Sequence, residues 1–159
     1  MTVLSDIDIE QAIKNKELGI EPFIKKNLTP NGYDLSIDEI FIKKTNQHIK
    51  EDVAVIPPLT WFAISTKECV TMGPQITSQL WIRSSYARKG ILASFGKVDA
   101  GFSGTLTFGC FNASDSHVEI PIGDRFCQIV FEHLANVPKA LYHERSGTYQ
   151  HQHGVTLQR

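Results

Sequence analysis

The sequence has almost no excess charge of either sign: 16 Lys+Arg stand against 17 Asp+Glu, a formal balance of −1 over 159 residues. A near-neutral chain does not coat DNA or an anionic membrane by bulk electrostatics, so a highly anionic ligand has to be met by a few placed basic residues. Long apolar runs are missing, and none approaches the ~20 residues that span a bilayer. The opening Met1-Thr2-Val3-Leu4-Ser5-Asp6 has neither the basic region nor the apolar core of a signal peptide. Cysteine is scarce. Cys69, Cys110 and Cys127 are odd in number and widely spaced, which fits reduced thiols in a cytoplasmic protein. Of the tail histidines His143, His151 and His153, the last two have an i,i+2 spacing with no nearby Cys or acidic cluster, which departs from closed zinc patterns. No Walker loop and no nucleophile elbow is present.

What is there is ordinary globular composition, with 42% hydrophobic and 21% charged residues. The length suits one domain, burying roughly two-thirds of its unfolded surface without disulfides or metal. Ser5 and Asp8 with Ile9, Ala12 and Ile13 predict a short capped helix near the start. Short runs rich in β-branched and aromatic residues follow, and predict strands over 33–43, 54–56, 60–65, 68–72, 78–82, 92–98, 105–112, 118–120 and 128–133. A helical turn is expected over 84–89. The spacing predicts a mostly β fold, a sandwich, barrel or jelly roll. Residues 1–142 are expected to form the β domain, and the polar tail 143–159 either frays or orders over a ligand.

Three segments are able to carry chemistry. In Trp81-Ile82-Arg83-Ser84-Ser85-Tyr86-Ala87-Arg88, a β run ends in a basic residue and two hydroxyls. Arg83 can hold two phosphate oxygens at once, and Arg88 lies on the same side of the turn as Ser84. The same residues equally suit a serine-capped helix with solvated arginines. In Lys97-Val98-Asp99-Ala100-Gly101-Phe102-Ser103-Gly104, the glycines suggest a tight β-hairpin. Asp99 there is either a turn cap or a general base held on a rigid hairpin, and Phe102 is either core or ligand platform. Gly123-Asp124-Arg125 opens a strand on which Gln128 is either a satisfied polar residue or a ligand contact.

Together these segments resemble the dCTP deaminase and dUTPase superfamily. The blocks are Leu4-Ser5-Asp6, Pro30-Asn31-Gly32-Tyr33-Asp34-Leu35, Arg83 to Arg88, Val98 to Gly104, Gly123-Asp124-Arg125 with Gln128, and Tyr149-Gln150-His151-Gln152-His153-Gly154. They keep the family order across nearly the whole chain, and the start, the Asn-Gly-Tyr-Asp-Leu block and the tail look more like the deaminase branch. The resemblance implies a distorted β-barrel of jelly-roll type, a homotrimer with active sites between subunits, and a deoxynucleoside triphosphate held as its magnesium complex. It assigns Arg83, Ser84, Ser85 and Arg88 to the phosphates, and Gln128, Tyr142 and Gln152 to further nucleotide contacts. Thr107, Phe108, Gly109 and Thr148 also count among the expected substrate contacts. Phe102 is placed under the deoxyribose, and Asp34 approaches Mg2+ through water.

One departure bears on the chemistry. Deaminases of this family carry a glutamate ten residues after the turn aspartate, and ten beyond Asp99 stands Gly109. Deaminating cytosine requires a carboxyl group to shuttle protons at the base. Glycine has none, Thr107 is a poor substitute, and Cys110 is expected to face the other side of an alternating strand. Asp99, by contrast, matches the carboxylate that activates water in dUTPases. The expectation is therefore a dUTP diphosphatase, with Asp99 as base and the tail as closing flap. A dCTP deaminase, monofunctional or also dephosphorylating, and a non-catalytic nucleotide-binding trimer are the alternatives. Ile82 replaces the usual glycine before Arg-Ser-Ser, and Thr148 replaces a basic residue. Arg145 and Arg159 are thus both candidates for the γ-phosphate.

Overall fold

Ten of the eleven residues in the longest strand are buried, because that strand runs through the middle of the sheet and is covered on both faces. The computed structural model describes residues 2–158. In chain order, β1 (Thr2–Val3), α1 (Asp6–Lys14), β2 (Leu18–Glu21), β3 (Leu28–Thr29) and the central β4 (Gly32–Ile42) make the first third. Next come β5 (Gln47–Ile49), β6 (Val53–Ile56), β7 (Thr60–Thr66), β8 (Cys69–Met72) and β9 (Ile76–Ile82). A one-turn helix α2 (Ser84–Ala87) precedes β10 (Ile91–Ser94), β11 (Lys97–Val98), β12 (Ser103–Gly104) and β13 (Thr107–Asn112). Strands β14 (Val118–Pro121) and β15 (Arg125–His133) and helix α3 (Tyr142–Arg145) complete the order.

The main sheet runs β10-β13-β7-β4-β15-β9-β11, a mostly β, curled half-barrel of antiparallel ladders. Strand β4 makes the curl: its first half pairs with β15, Asp34 opposite Gln128, and its second half with β7, Ile40 opposite Ile64. Strands β12-β8-β2 form a second sheet and β14-β6 a third. The interior is lined by fully buried Tyr33, Leu35, Ile37, Phe62, Ile64, Phe126, Ile129 and Phe131. At the start, the Ser5 N–H donates to Asp8 Oδ2 at 2.9 Å and the Asp8 N–H donates back to Ser5 Oγ at 3.3 Å. This capping box directs Ile9 and Ala12 of α1 into the core.

Three sequence expectations need correction. Strand 92–98 is broken at Phe95-Gly96, since β10 pairs with β13 while β11 turns away to β9. Strand 105–112 begins only at Thr107, because the Leu106 and Thr105 backbone N–H groups donate to Thr66 Oγ1 and the Gln152 carbonyl instead of a ladder. The segment around Asp99 is not a hairpin. Its two flanking strands do not pair with each other: β11 joins β9 and β12 joins β8. The glycines correctly marked a turn, but the turn links two sheets.

Helix α2 is too short to hold itself and is anchored from below. Tyr86 is buried, its hydroxyl donates to Asp124 Oδ2 at 2.5 Å, and its ring packs tilted on Phe126 at 4.9 Å. Burial, then the Asp124 carboxylate, push the Tyr86 phenol well above its usual range, so the hydroxyl remains the donor at any physiological pH. Replacing Tyr86→Phe removes this bond and should cost about 1 kcal/mol of stability, read as a lowered midpoint in denaturant melts. The same variant should loosen 83–88 in hydrogen exchange while leaving α1 unaffected.

Candidate active site

Asp99 sits exposed at the first position of the sheet-to-sheet turn, whose carbonyl accepts the Phe102 N–H at 3.1 Å. The third position requires a positive φ, and Gly101 supplies +87°. The turn is clamped to β8: the Gly101 N–H donates to the Met72 carbonyl at 3.1 Å and the Met72 N–H donates to the Phe102 carbonyl at 2.8 Å. The carboxylate is thus presented on backbone that is bonded from both sides.

Beside it opens a cavity of about 450 Å³. Asp99, Phe102, Tyr142 and Gln152 line it, as do Thr107, Phe108 and Gly109 of β13. Among the described residues of its wall, Asp99 is the one carboxylate. Phe102 is 5% exposed and meets Tyr142 edge-on at 5.5 Å. The Phe108 side chain is buried edge-on against Phe95 at 5.2 Å. Burial alternates along β13, so Cys110 faces the interior, as the alternation predicts, while Thr107 and Gly109 face outward.

The tail closes one side of the cavity. Gln152 Nε2 donates to the Thr105 carbonyl at 2.7 Å, and the Thr105 N–H donates to the Gln152 carbonyl at 3.0 Å. The other amide atom of Gln152, Oε1, is buried without a partner, an acceptor left for something else. Thr107 Oγ1 donates to the Gly154 carbonyl at 3.2 Å and accepts the Thr156 N–H at 3.1 Å. The Tyr142 hydroxyl accepts the Tyr149 N–H at 3.0 Å. Thr148 is exposed and does not line the cavity. Arg145 lines an adjoining hollow of about 500 Å³ that shares Asp99 and Tyr142 with it; Arg159 lies outside the described residues.

Trp61 is among the wall residues that sequence reasoning missed. It lies on β7 opposite Phe111, and only the register of β7 against β13 shows that its ring falls on Gly109. A β-carbon at position 109 would stand 3.3 Å from Trp61 Nε1 and 3.5 Å from Cζ2.

The basic residues form a second cluster. A bulge in β15 between Arg125 and Cys127 frees the Phe126 carbonyl, which accepts the Arg83 N–H at 3.0 Å. Asp34 Oδ2 takes Arg83 Nε at 3.1 Å and Arg125 Nη1 at 3.4 Å. Burial pushes the Asp34 carboxyl up, and the two arginines pull against that. Ser84, Ser85 and Arg88 are exposed on and just after α2 beside this pair. Gln128 Nε2 donates to Thr29 Oγ1 at 2.7 Å, directly across the ladder from Asp34.

Within one chain the two clusters do not meet. Val98, beside Asp99, pairs with Ser78 near the start of β9, and Arg83 follows its far end. At about 3.3 Å per residue, roughly 16 Å of strand separates them.

A family model described as dCTP deaminase-like matches residues 3–134. The chain belongs to the dCTP deaminase-like family. It is 44% identical over 137 residues to a dCTP deaminase of Pyrococcus horikoshii, an alignment covering 85% of this chain and 86% of the relative. It is 34% identical over 157 residues, 98% of this chain and 97% of the other, to a probable deoxyuridine 5'-triphosphate nucleotidohydrolase of Sulfolobus islandicus rod-shaped virus 1. Among solved structures, the 2'-deoxycytidine 5'-triphosphate deaminase from Agrobacterium tumefaciens superposes with a TM-score of 0.70 at 17% identity. That likeness covers 81% of this chain and 47% of the other, and it speaks to the fold alone. Family membership therefore brings two named chemistries, deamination and triphosphate hydrolysis, to one scaffold.

The tail is latched by Glu39, a buried residue just after a bulge in β4. Its Oε2 accepts the Val155 N–H at 3.0 Å, while His48 Nδ1 hydrogen-bonds Oε1 and Lys50 Nζ stands 3.8 Å away. Burial alone would raise this carboxyl, but the Val155 N–H, His48 and Lys50 together hold it below the usual glutamate range. A depressed folded value means that the latch contributes fully above the unfolded value and is lost as pH falls through the folded one. Relative to the unfolded chain at the same pH, hydrogen exchange at the Val155 amide should accordingly stay slow at neutral pH and quicken only in acid, below the ordinary glutamate range. Glu39→Ala should make it fast throughout and expose 146–158 to proteolysis.

Proposed function

We propose that the chain is a dUTP diphosphatase, hydrolysing dUTP to dUMP and diphosphate. The observation that carries this is the single acid of the cavity: Asp99 is present, and the position ten residues on is Gly109 covered by an indole. Hydrolysis at the α-phosphorus needs one carboxylate to orient and deprotonate water, with cations to absorb developing charge. Deamination needs a second proton shuttle at the base, and neither Thr107, bonded to the tail, nor buried Cys110 supplies it.

In this reading the base and sugar enter the cavity, with Phe102 under the deoxyribose and Gln152 and Tyr142 closing over them. Asp99 takes the proton of the attacking water, and diphosphate leaves on the opposite side. Arg83, Ser84, Ser85 and Arg88 hold the phosphates. Because they lie at the other end of β9, they serve the Asp99 of a neighbouring copy, as in a homotrimer of the cytoplasm. Among the described residues no three His, Cys, Asp or Glu side chains cluster as a metal cage. The donor set therefore suits Mg2+ brought by the triphosphate rather than stored by the protein. Asp34 fits this role through water, the ion pairs of Arg83 and Arg125 both falling on its Oδ2. When bound, the ion neutralises phosphate charge.

The deaminase name of the Pyrococcus relative favours a second reading, and the products decide between the two. With Mg2+ and each nucleotide in parallel, dUTP should give dUMP and diphosphate while dCTP stays unchanged; uridine nucleotides formed from dCTP would overturn the proposal. Asp99→Asn should lower kcat by about 10²–10⁴-fold while retaining dUTP affinity. Chelation by EDTA should abolish turnover reversibly.

A further inference from the structure

Gly109 and Trp61 form a matched pair on the cavity wall. Gly109 pairs with Ala63 and Phe111 with Trp61, which makes Trp61 and Gly109 diagonal neighbours on one face of the β7–β13 ladder. With no side chain at 109, the indole lies back across the strand. Its nitrogen is the heavy atom nearest to where a β-carbon would stand, at 3.3 Å. Even an alanine there would press on the ring, and a glutamate would displace it. Lys43 Nζ stands 5.9 Å from the ring centroid, a cation–π contact that helps hold the indole in place.

An indole N–H donates and never accepts. This one forms no hydrogen bond to a described residue, although it lines the same cavity as Asp99 and Phe102. Gln152 lines the same cavity, but its Oε1 is enclosed, its identity set because Nε2 donates to Thr105. An open indole donor on the wall matches a pyrimidine edge with a carbonyl oxygen at position 4, as in uracil, which carries an N–H at position 3. Cytosine reverses both groups, placing an amino donor at position 4. We propose that Trp61 is a specificity-determining residue that selects uracil over cytosine by donating its indole N–H to the 4-carbonyl, the diphosphatase reading supplying only the identity of the ligand. A cytosine amino group there would leave two donors facing each other, the kind of mismatch by which hydrogen-bonding sites discriminate.

The test is binding, kept separate from turnover. Calorimetry with the non-hydrolysable α,β-imido analogues of dUTP and dCTP should show the wild-type protein preferring uracil. Trp61→Phe, which keeps a ring and loses the donor, should weaken the uracil analogue by about tenfold and leave the cytosine analogue unchanged or tighter. On unmodified protein, the 4-thio form of the uracil analogue, a poor acceptor, should lose a similar factor, so the outcome does not depend on how the variant folds. An unchanged uracil-to-cytosine ratio in Trp61→Phe, or full affinity for the 4-thio analogue, would overturn the proposal. Diphosphate release measured alongside separates the two ideas. Selective binding through Trp61 without release sinks the diphosphatase reading alone. Release with an unchanged binding ratio sinks the role of Trp61 alone.

Discussion

The antiparallel ladder between β9 and β15 sets the separation between Asp99 and the Arg83 segment. Its seven paired positions, from Cys127–Ile82 to His133–Ile76, leave no freedom to slide without turning buried Leu80 and Phe131 outward. One end of β9 receives β11 and delivers Asp99; the other runs into α2 and delivers Arg83, Ser84 and Ser85. The ladder is therefore a rigid spacer. It holds the groups proposed to activate water and to bind phosphate at a fixed separation that one chain does not close by bending.

Each end then carries its own electrostatic solution. At the phosphate end two arginines share a single buried carboxylate oxygen of Asp34, which orients them and leaves one unit of positive charge over. Half-buried guanidinium groups held this way meet phosphate with little further loss of side-chain freedom. At the other end Asp99 stands exposed on a clamped turn beside a cavity whose remaining wall carries no second acid. Within one chain, this separation keeps the Asp99 carboxylate from pairing with the arginines. In the proposed function, charges placed this way let a chain with a formal charge of −1 handle a small polyanion.

Much of this was legible in the residues, and the gaps have physical causes. Alternating apolar runs and turn glycines located most strands, and Ser5 with Asp8 located α1. The two-residue strands β1, β3, β11 and β12 carry too little pattern to register, and β4 hides its alternation by being buried on both faces. The turn at Asp99 was visible from Gly101, yet its partners were not, because pairing with β8 and β9 is a long-range choice that no local spacing encodes. The same holds for the site. The Arg-Ser-Ser block, Asp99 and Gly109 stand out by type and spacing. Trp61 does not, since it acquires meaning only when the β7–β13 register lays it on a glycine. Nor does the sequence show that the Arg83 segment and Asp99 lie at opposite ends of one strand.

The central claim is that a working site is made from two copies, the Asp99 turn of one and the Arg83 segment of another. Mixing tests it most directly. Asp99→Asn and Arg83→Ala proteins, each inactive, are unfolded together, refolded at equal concentration and assayed for diphosphate release from Mg2+–dUTP. Random assembly pairs an intact Asp99 with an intact Arg83 from the neighbouring copy at about a quarter of the interfaces, so roughly that share of wild-type activity should return. No recovery from a mixture that demonstrably co-assembles would contradict the account and place both groups in the service of one chain.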